Sequence, residues 1–206
     1  MLRTKFEPYL PPITSWLATF ALLLAFPWAY AQQPPPPSGT YDGSPYLGQV
    51  RNTYLYSGIW ERSNLSKRDR SMITVAVNQA LYATNELRLH MGRALDNGVT
   101  QTELSEIIAH VLWYSGFPTG VNAARVAAEV FAERNLPAIP PETSPRQPHE
   151  ESEFEFPDAF PQTPYLSDLL NQVVYAETWK RSELSPRDRS MITVAVGTAL
   201  YASSEV

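Results

Sequence analysis

Arg68-Asp69-Arg70-Ser71-Met72-Ile73-Thr74-Val75-Ala76-Val77 recurs unchanged as residues 187–196, an offset of 119. An unbroken identity of this length is an internal repeat, and reading outward at the same offset extends it. Pro45-Tyr46 returns as Pro164-Tyr165, Trp60 as Trp179 and Leu65-Ser66 as Leu184-Ser185. Ala80-Leu81-Tyr82-Ala83 returns as Ala199-Leu200-Tyr201-Ala202, and Glu86 as Glu205. The chain therefore reads as one complete copy, residues 46–134, and a second, truncated copy, residues 165–206, whose match stops just after the counterpart of Glu86.

The repeat is helical by its start and stop signals, and no strand pattern competes with them. Ser66 with Asp69 three residues on has the form of an N-cap, in which a side-chain oxygen satisfies an amide left open at a helix start. The second copy supports this independently: Pro186 follows Ser185, at the first helical position, where proline sacrifices no hydrogen bond. Asn97-Gly98 reads as a left-handed stop, and Thr100 with Glu103 as a capping box for the next helix. Five helices are predicted, near 46–62, 66–82, 85–97, 101–114 and 118–134, giving an all-α fold. The second is apolar around most of its circumference through Met72, Ile73, Val75, Ala76, Val77, Ala80 and Leu81. One neighbouring helix cannot cover so much, so an obligate oligomer is expected, with the second copy poorly packed or completed by a partner.

The flanks have a different character. Arg3 and Lys5 precede an apolar run from Trp16 to Phe26, and Ala29-Tyr30-Ala31 supplies a small-residue cleavage site, so residues 1–31 read as a signal peptide. Residues 32–45, with four consecutive prolines, form a tether, and residues 135–164 a linker of prolines and acidic side chains. Export to the periplasm or beyond is expected, with no membrane association once the signal is cleaved. Cysteine is absent from all 206 residues, which removes disulfides, thiolate nucleophiles and sulfur-bound metals. A net charge of −5 with no Lys/Arg-rich run argues against nucleic acid as a partner.

Few side chains can carry chemistry. Glu86 and His90, four apart, share a helix face, where a carboxylate can orient an imidazole for proton transfer, though such pairs are also common on solvated faces. His110 borders an apolar stripe at positions 104, 107, 108, 111 and 112; it either completes the core or approaches His90 and lines a pocket with Trp113 and Tyr114. His149 lies in the linker and is assigned no role. The spacing of the histidines matches no metal motif, so no metal is expected. Arg68 and Arg70 open the second helix, where the helix dipole disfavours cations. They serve either a substrate carboxylate or a salt bridge to another helix or subunit.

Taken together, Leu65 through Ser71, Glu86 through His90, Ala94 through Thr100 and the run Glu106 to Asn122 closely resemble the carboxymuconolactone decarboxylase family, relatives of the alkylhydroperoxidase AhpD, over residues 45–134. The resemblance implies an AhpD-like helical domain assembling as homotrimers or homohexamers. It implies a cofactor-free decarboxylase acting on a small anionic lactone or related acid, with His90 transferring the proton and Glu86 orienting it. An anionic substrate group falls to an arginine such as Arg70, by chemistry rather than by motif. In the peroxidase branch a CxxC pair precedes the matching histidine; here those positions read Ala83 and Glu86, so thiol peroxidase chemistry is excluded. The counterpart of His90 in the second copy would be position 209. The rival expectation is a non-catalytic assembly scaffold of the envelope.

Overall fold

Ser66 and Ser185 show how the repeat is built. In a computed structural model of the chain, each serine has extended backbone and accepts the amide of the aspartate three residues on, Asp69 at 3.0 Å and Asp188 at 3.1 Å. Each thereby starts a helix of the same length at the same repeat position. The structure describes residues 41–140, 160 and 162–200. The expected signal peptide and most of the tether and of the linker, His149 included, lie outside the described residues.

The chain divides into two compact units, Met1–Ile59 and Trp60–Val206. In the first, α1 (Pro45–Val50) continues as a π-helical stretch, Arg51–Ile59. The single α-helix expected from 46 to 62 is thus corrected. Locally, the Ser57 hydroxyl donates to the carbonyl of Asn52 five residues back, at 2.5 Å, and Gly58 adds little helical preference, so the wider turn has support that an α-helix lacks here.

In the second unit the described residues form α2 (Lys67–Ala80), α3 (Thr84–Asp96), α4 (Gln101–Ser115) and α5 (Phe117–Glu133). They are followed by α6 (Pro164–Leu169), a π-helical turn Leu170–Tyr175, a 3-10 turn Thr178–Lys180 and α7 (Pro186–Ala199). No strand occurs among the described residues. Elements α6 and α7 reproduce α1 and α2 at the repeat offset. The capping box of α4 is closed: Thr100 Oγ1 accepts the Glu103 amide at 3.1 Å while the Glu103 carboxylate accepts the Thr100 amide at 2.7 Å. Gly98, at φ +86°, takes the left-handed turn that ends α3, as its place after Asn97 predicts. No described helix is long and apolar enough to cross a membrane.

The core gathers Met72, Val75 and Ala76 of α2, Leu87, Met91 and Ala94 of α3, Leu104, Ile107 and Val111 of α4, and Ala123, Val126 and Val130 of α5. Gly120 lets α5 approach α4 closely, since a Cβ there would lie 3.0 Å from Leu112 Cβ. The same core takes in Leu184, Ile192 and Val196 of the second copy, all but fully buried. The expectation that this copy packs poorly is therefore corrected for α7, whereas α6 has no buried residue. Helix α7 lies against α2 and α4 of the same chain, which supply the apolar surface that a short isolated helix lacks.

Candidate functional site

Helix α3 presents His90 and Glu86 on one face. Their Nε2 and Oε2 atoms are 3.8 Å apart, beyond hydrogen-bonding range, and the Glu86 side chain is 63% exposed where that of His90 is 14%. Burial, with help from Arg93, lowers the His90 pKa to about 4. Glu86 does not offset this, because a carboxylate so open to water is screened. At neutral pH His90 is an uncharged imidazole with one free lone pair, half-buried beside a carboxylate in solvent.

The other residues singled out from sequence are drawn to the contact between the two copies. The His110 side chain is buried; its ring lies 5.3 Å from Tyr114 and 5.0 Å from Trp179, and Nε2 is 2.8 Å from Thr193 Oγ1. Because the Thr193 hydroxyl donates to the Arg189 carbonyl at 2.8 Å, the histidine must donate to it, which assigns the Nε2–H tautomer. Burial, with Arg189 nearby, lowers the His110 pKa to about 3, in keeping with the neutral ring. Rather than approaching His90, His110 is tied to the second copy. Trp113 Nε1 donates to Thr178 Oγ1 and Trp179 Nε1 donates to Tyr114 OH, each at 3.1 Å. Trp113 and Tyr114 also line a largely apolar cavity of about 290 Å³, together with Leu166, Leu170, Val174 and Thr193.

The two arginines part company. Arg68 bonds Glu103 and reaches Asp188 at 3.1 Å, and these carboxylates outweigh the cost of its burial. Arg70 donates through Nη2 to the Arg62 carbonyl at 2.8 Å, and its buried Nε has no partner among the described residues. Of the two, Arg68 is already matched by two carboxylates, whereas Arg70 has none among its described hydrogen bonds.

Sequence reasoning passed over Glu106. It is 4% exposed, and Arg181 clamps both carboxylate oxygens at 2.7–3.0 Å while Arg189, itself 0% exposed, adds a bond at 3.0 Å. Burial alone would raise its pKa; the two guanidiniums win and hold it below the ordinary range. The signal was a glutamate flanked by Leu104, Ile107 and Ile108, a charge that could only be buried if paired. Among the described residues no group of three or more His, Asp or Glu is placed to hold a metal ion.

With this geometry in view, comparison with known proteins is informative. Residues 45–129 match the model of the carboxymuconolactone decarboxylase family. A 4-carboxymuconolactone decarboxylase of Acinetobacter baylyi is 39% identical over 83 residues, covering 40% of this chain and 62% of the relative. A nitrosuccinic acid decarboxylase of Metarhizium robertsii is 33% identical over 78 residues, covering 38% of this chain and 54% of the relative. The chain thus spans less than two thirds of the length of either protein.

Proposed function

We propose, from the match of residues 45–129 to the model of the carboxymuconolactone decarboxylase family, that the chain is a cofactor-free carboxy-lyase of small carboxylated acids or lactones. Both relatives are named as decarboxylases, one of a carboxylated lactone and the other of nitrosuccinic acid. A small anionic substrate is the chemistry that those names have in common.

The observation that carries the reading is His90: a half-buried imidazole held neutral, one helical turn from a carboxylate in solvent. In decarboxylation the bond from carbon to the carboxylate breaks, carbon dioxide leaves and the electron pair spreads into a neighbouring acceptor group. A proton must then take the vacated place on carbon. His90 is the group we assign to relay it, with Glu86 marking the solvent end of the route. Arg70 is the cation we assign to a remaining anionic group of the substrate, since a donor there lacks a partner. Fixed donors facing the developing enolate, rather than a nucleophile, are what such a reaction needs.

The test is carbon dioxide release by the purified chain from carboxymuconolactone, nitrosuccinic acid and related acids. We expect His90→Ala to lower kcat/KM by at least about 100-fold, as for loss of a general acid–base group. Unchanged turnover in a folded His90→Ala protein overturns the assignment. A second reading, an assembly module without chemistry, is favoured by the 3.8 Å gap and the exposure of Glu86. It is established if the folded chain turns over none of these acids.

A further inference from the structure

The second copy departs from the repeat at the wall of the cavity that Trp113 and Tyr114 line. Helices α2 and α7 are identical from Arg68 and Arg187 through Val77 and Val196, and the next residue is Asn78 in one and Gly197 in the other. Asn78 turns its amide back onto the Thr74 carbonyl at 2.9 Å. Gly197, in the last turn of α7, is buried and lines the cavity beside Thr193. Glycine inside a helix costs conformational entropy and packs no side chain, so stability is given up where the space opens.

The walls are uncharged and held in place. Trp113 is fixed by its bond to Thr178 and by Phe117 edge-on to its ring at 6.4 Å, and Tyr175 is stacked on Trp179 at 6.3 Å. Aromatic walls set in advance suit a flat ligand. No lining residue carries a charge, so a carboxylate would lose its hydration there with no cation in return. His90, Glu86 and Arg70 are not among the lining residues, so the proposed reaction is assigned elsewhere. The Trp113 N–H is engaged by Thr178, and the Thr193 hydroxyl donates to Arg189 while accepting from His110. The Tyr114 hydroxyl differs: it accepts from Trp179 Nε1, and its own proton has no acceptor among the described residues.

Leu166 and Leu200 line the same cavity yet remain 43% and 36% exposed, and α6 has no buried residue. An apolar occupant would take these leucines out of water. At about 290 Å³, the cavity is roughly twice the size of one of about 150 Å³ that binds benzene, which leaves room for two fused rings. We propose that this cavity binds a neutral aromatic carbonyl compound of two fused rings, with the rings against the leucines and the carbonyl oxygen accepting from the Tyr114 hydroxyl. Leu166, Thr193 and Gly197 all belong to the second copy, so the complete repeat has no such site by itself. The ligand touches α4, α6 and α7 together and therefore stabilises their association.

Equilibrium dialysis of the full-length chain against 2-acetylnaphthalene tests this without any turnover. One molecule bound per chain is expected. Gly197→Leu, which puts a side chain into the cavity while favouring the helix, should abolish that binding. Gly197→Met, whose unbranched side chain adapts to a tight site, carries the same expectation if the leucine variant does not fold. Tyr114→Phe should lower the affinity for the ketone about fivefold, the share of one hydrogen bond, and leave that for 2-ethylnaphthalene unchanged. The anion 2-naphthoate should occupy no site that the Gly197 variants remove. The proposal is overturned if the wild-type chain binds no ketone, or if a folded Gly197 variant binds it equally well. A ketone affinity indifferent to Tyr114→Phe, an equal loss for both neutral ligands, or naphthoate binding that disappears with Gly197→Leu overturns it too.

Discussion

Arg189 donates to Glu106 over 3.0 Å in a place that excludes water: the arginine is 0% and the glutamate 4% exposed. The pair joins α7 to α4 and thus the second copy to the first. Arg181 adds a two-pronged grip on the same carboxylate. A charge buried so completely is tolerable only because three groups meet, and removing one leaves the others stranded.

Glu106→Gln should accordingly destabilise the chain by about 3–5 kcal/mol, the usual cost of an unmatched buried charge. Arg181→Met should cost less, because Glu106 keeps Arg189. Urea denaturation at pH 7 monitored by helical circular dichroism measures both, and equal losses would show that Arg181 and Arg189 do not share the carboxylate as described.

Thr193→Val removes the acceptor of the His110 Nε2–H and leaves that donor buried without a partner. The His110 Nδ1 atom already lacks one, so the ring would lose its last hydrogen bond. A loss of about 1–3 kcal/mol is expected in the same denaturation experiment. Thr74→Val, at the half-exposed counterpart, should be near neutral.

The helices were legible in the sequence because each carries its own local signals. Ser66, Ser185 and the Thr100–Glu103 box announce helix starts, and Gly98 a stop, and these depend on residues a few positions apart. What could not be read was which surface the all-round apolar α2 faces. Its identical counterpart α7 shows why: copy one buries Ser71, Met72, Val75 and Ala76, whereas copy two buries Arg189, Ile192 and Val196 and leaves Ser190 and Val194 exposed, according to which helices pack against each copy. Glu106, and the partner that His110 takes in the core, escaped for a related reason. The bonded partners lie 75 and 83 positions away along the chain, where no local pattern links them. His90 and Glu86, one turn apart on a single helix, were visible at once, yet their 3.8 Å separation and unequal exposure depend on packing.

Tyr82 ends α2 in the left-handed region, at φ +57°, although it is not glycine, and its side chain is exposed. An L side chain there costs about 1–2 kcal/mol. Tyr82→Gly relieves that strain and buries nothing less, so the thermal midpoint should rise, by an amount worth up to about 1 kcal/mol after the extra entropy of glycine in the unfolded chain. A lowered midpoint would mean that the ring contributes packing that its exposure conceals.

Stability should also fall with acid in two stages. The folded pKa values of His90, about 4, and His110, about 3, lie below the value near 6.5 of an unfolded chain. Between those limits the unfolded state binds more protons, so the stabilisation is full above about pH 6.5 and drains away as the pH falls. Each histidine contributes a slope of up to about 1.4 kcal/mol per pH unit. Glu106 and Asp69, held low by their arginines, add to the loss only below the ordinary carboxylate range of about 4. His110→Asn should halve the slope between pH 6 and 5, as read from urea midpoints across that interval, and leave the lower stage in place.

The same burial sets the pH dependence expected of the proposed reaction. If His90 relays the proton in its neutral form, kcat/KM should rise with pH through about 4 and then level, because above that value the lone pair is available. An unperturbed histidine would place the rise near 6.5 instead. Arg93 adds to the lowering, so Arg93→Gln should move the acid limb upward while leaving the plateau. Glu86→Gln should leave the limb where it is, since a carboxylate 63% exposed at 3.8 Å does little to the imidazole. Steady-state rates from pH 3.5 to 8 separate these outcomes. A limb near 6.5 that ignores Arg93→Gln would take the proton relay away from His90.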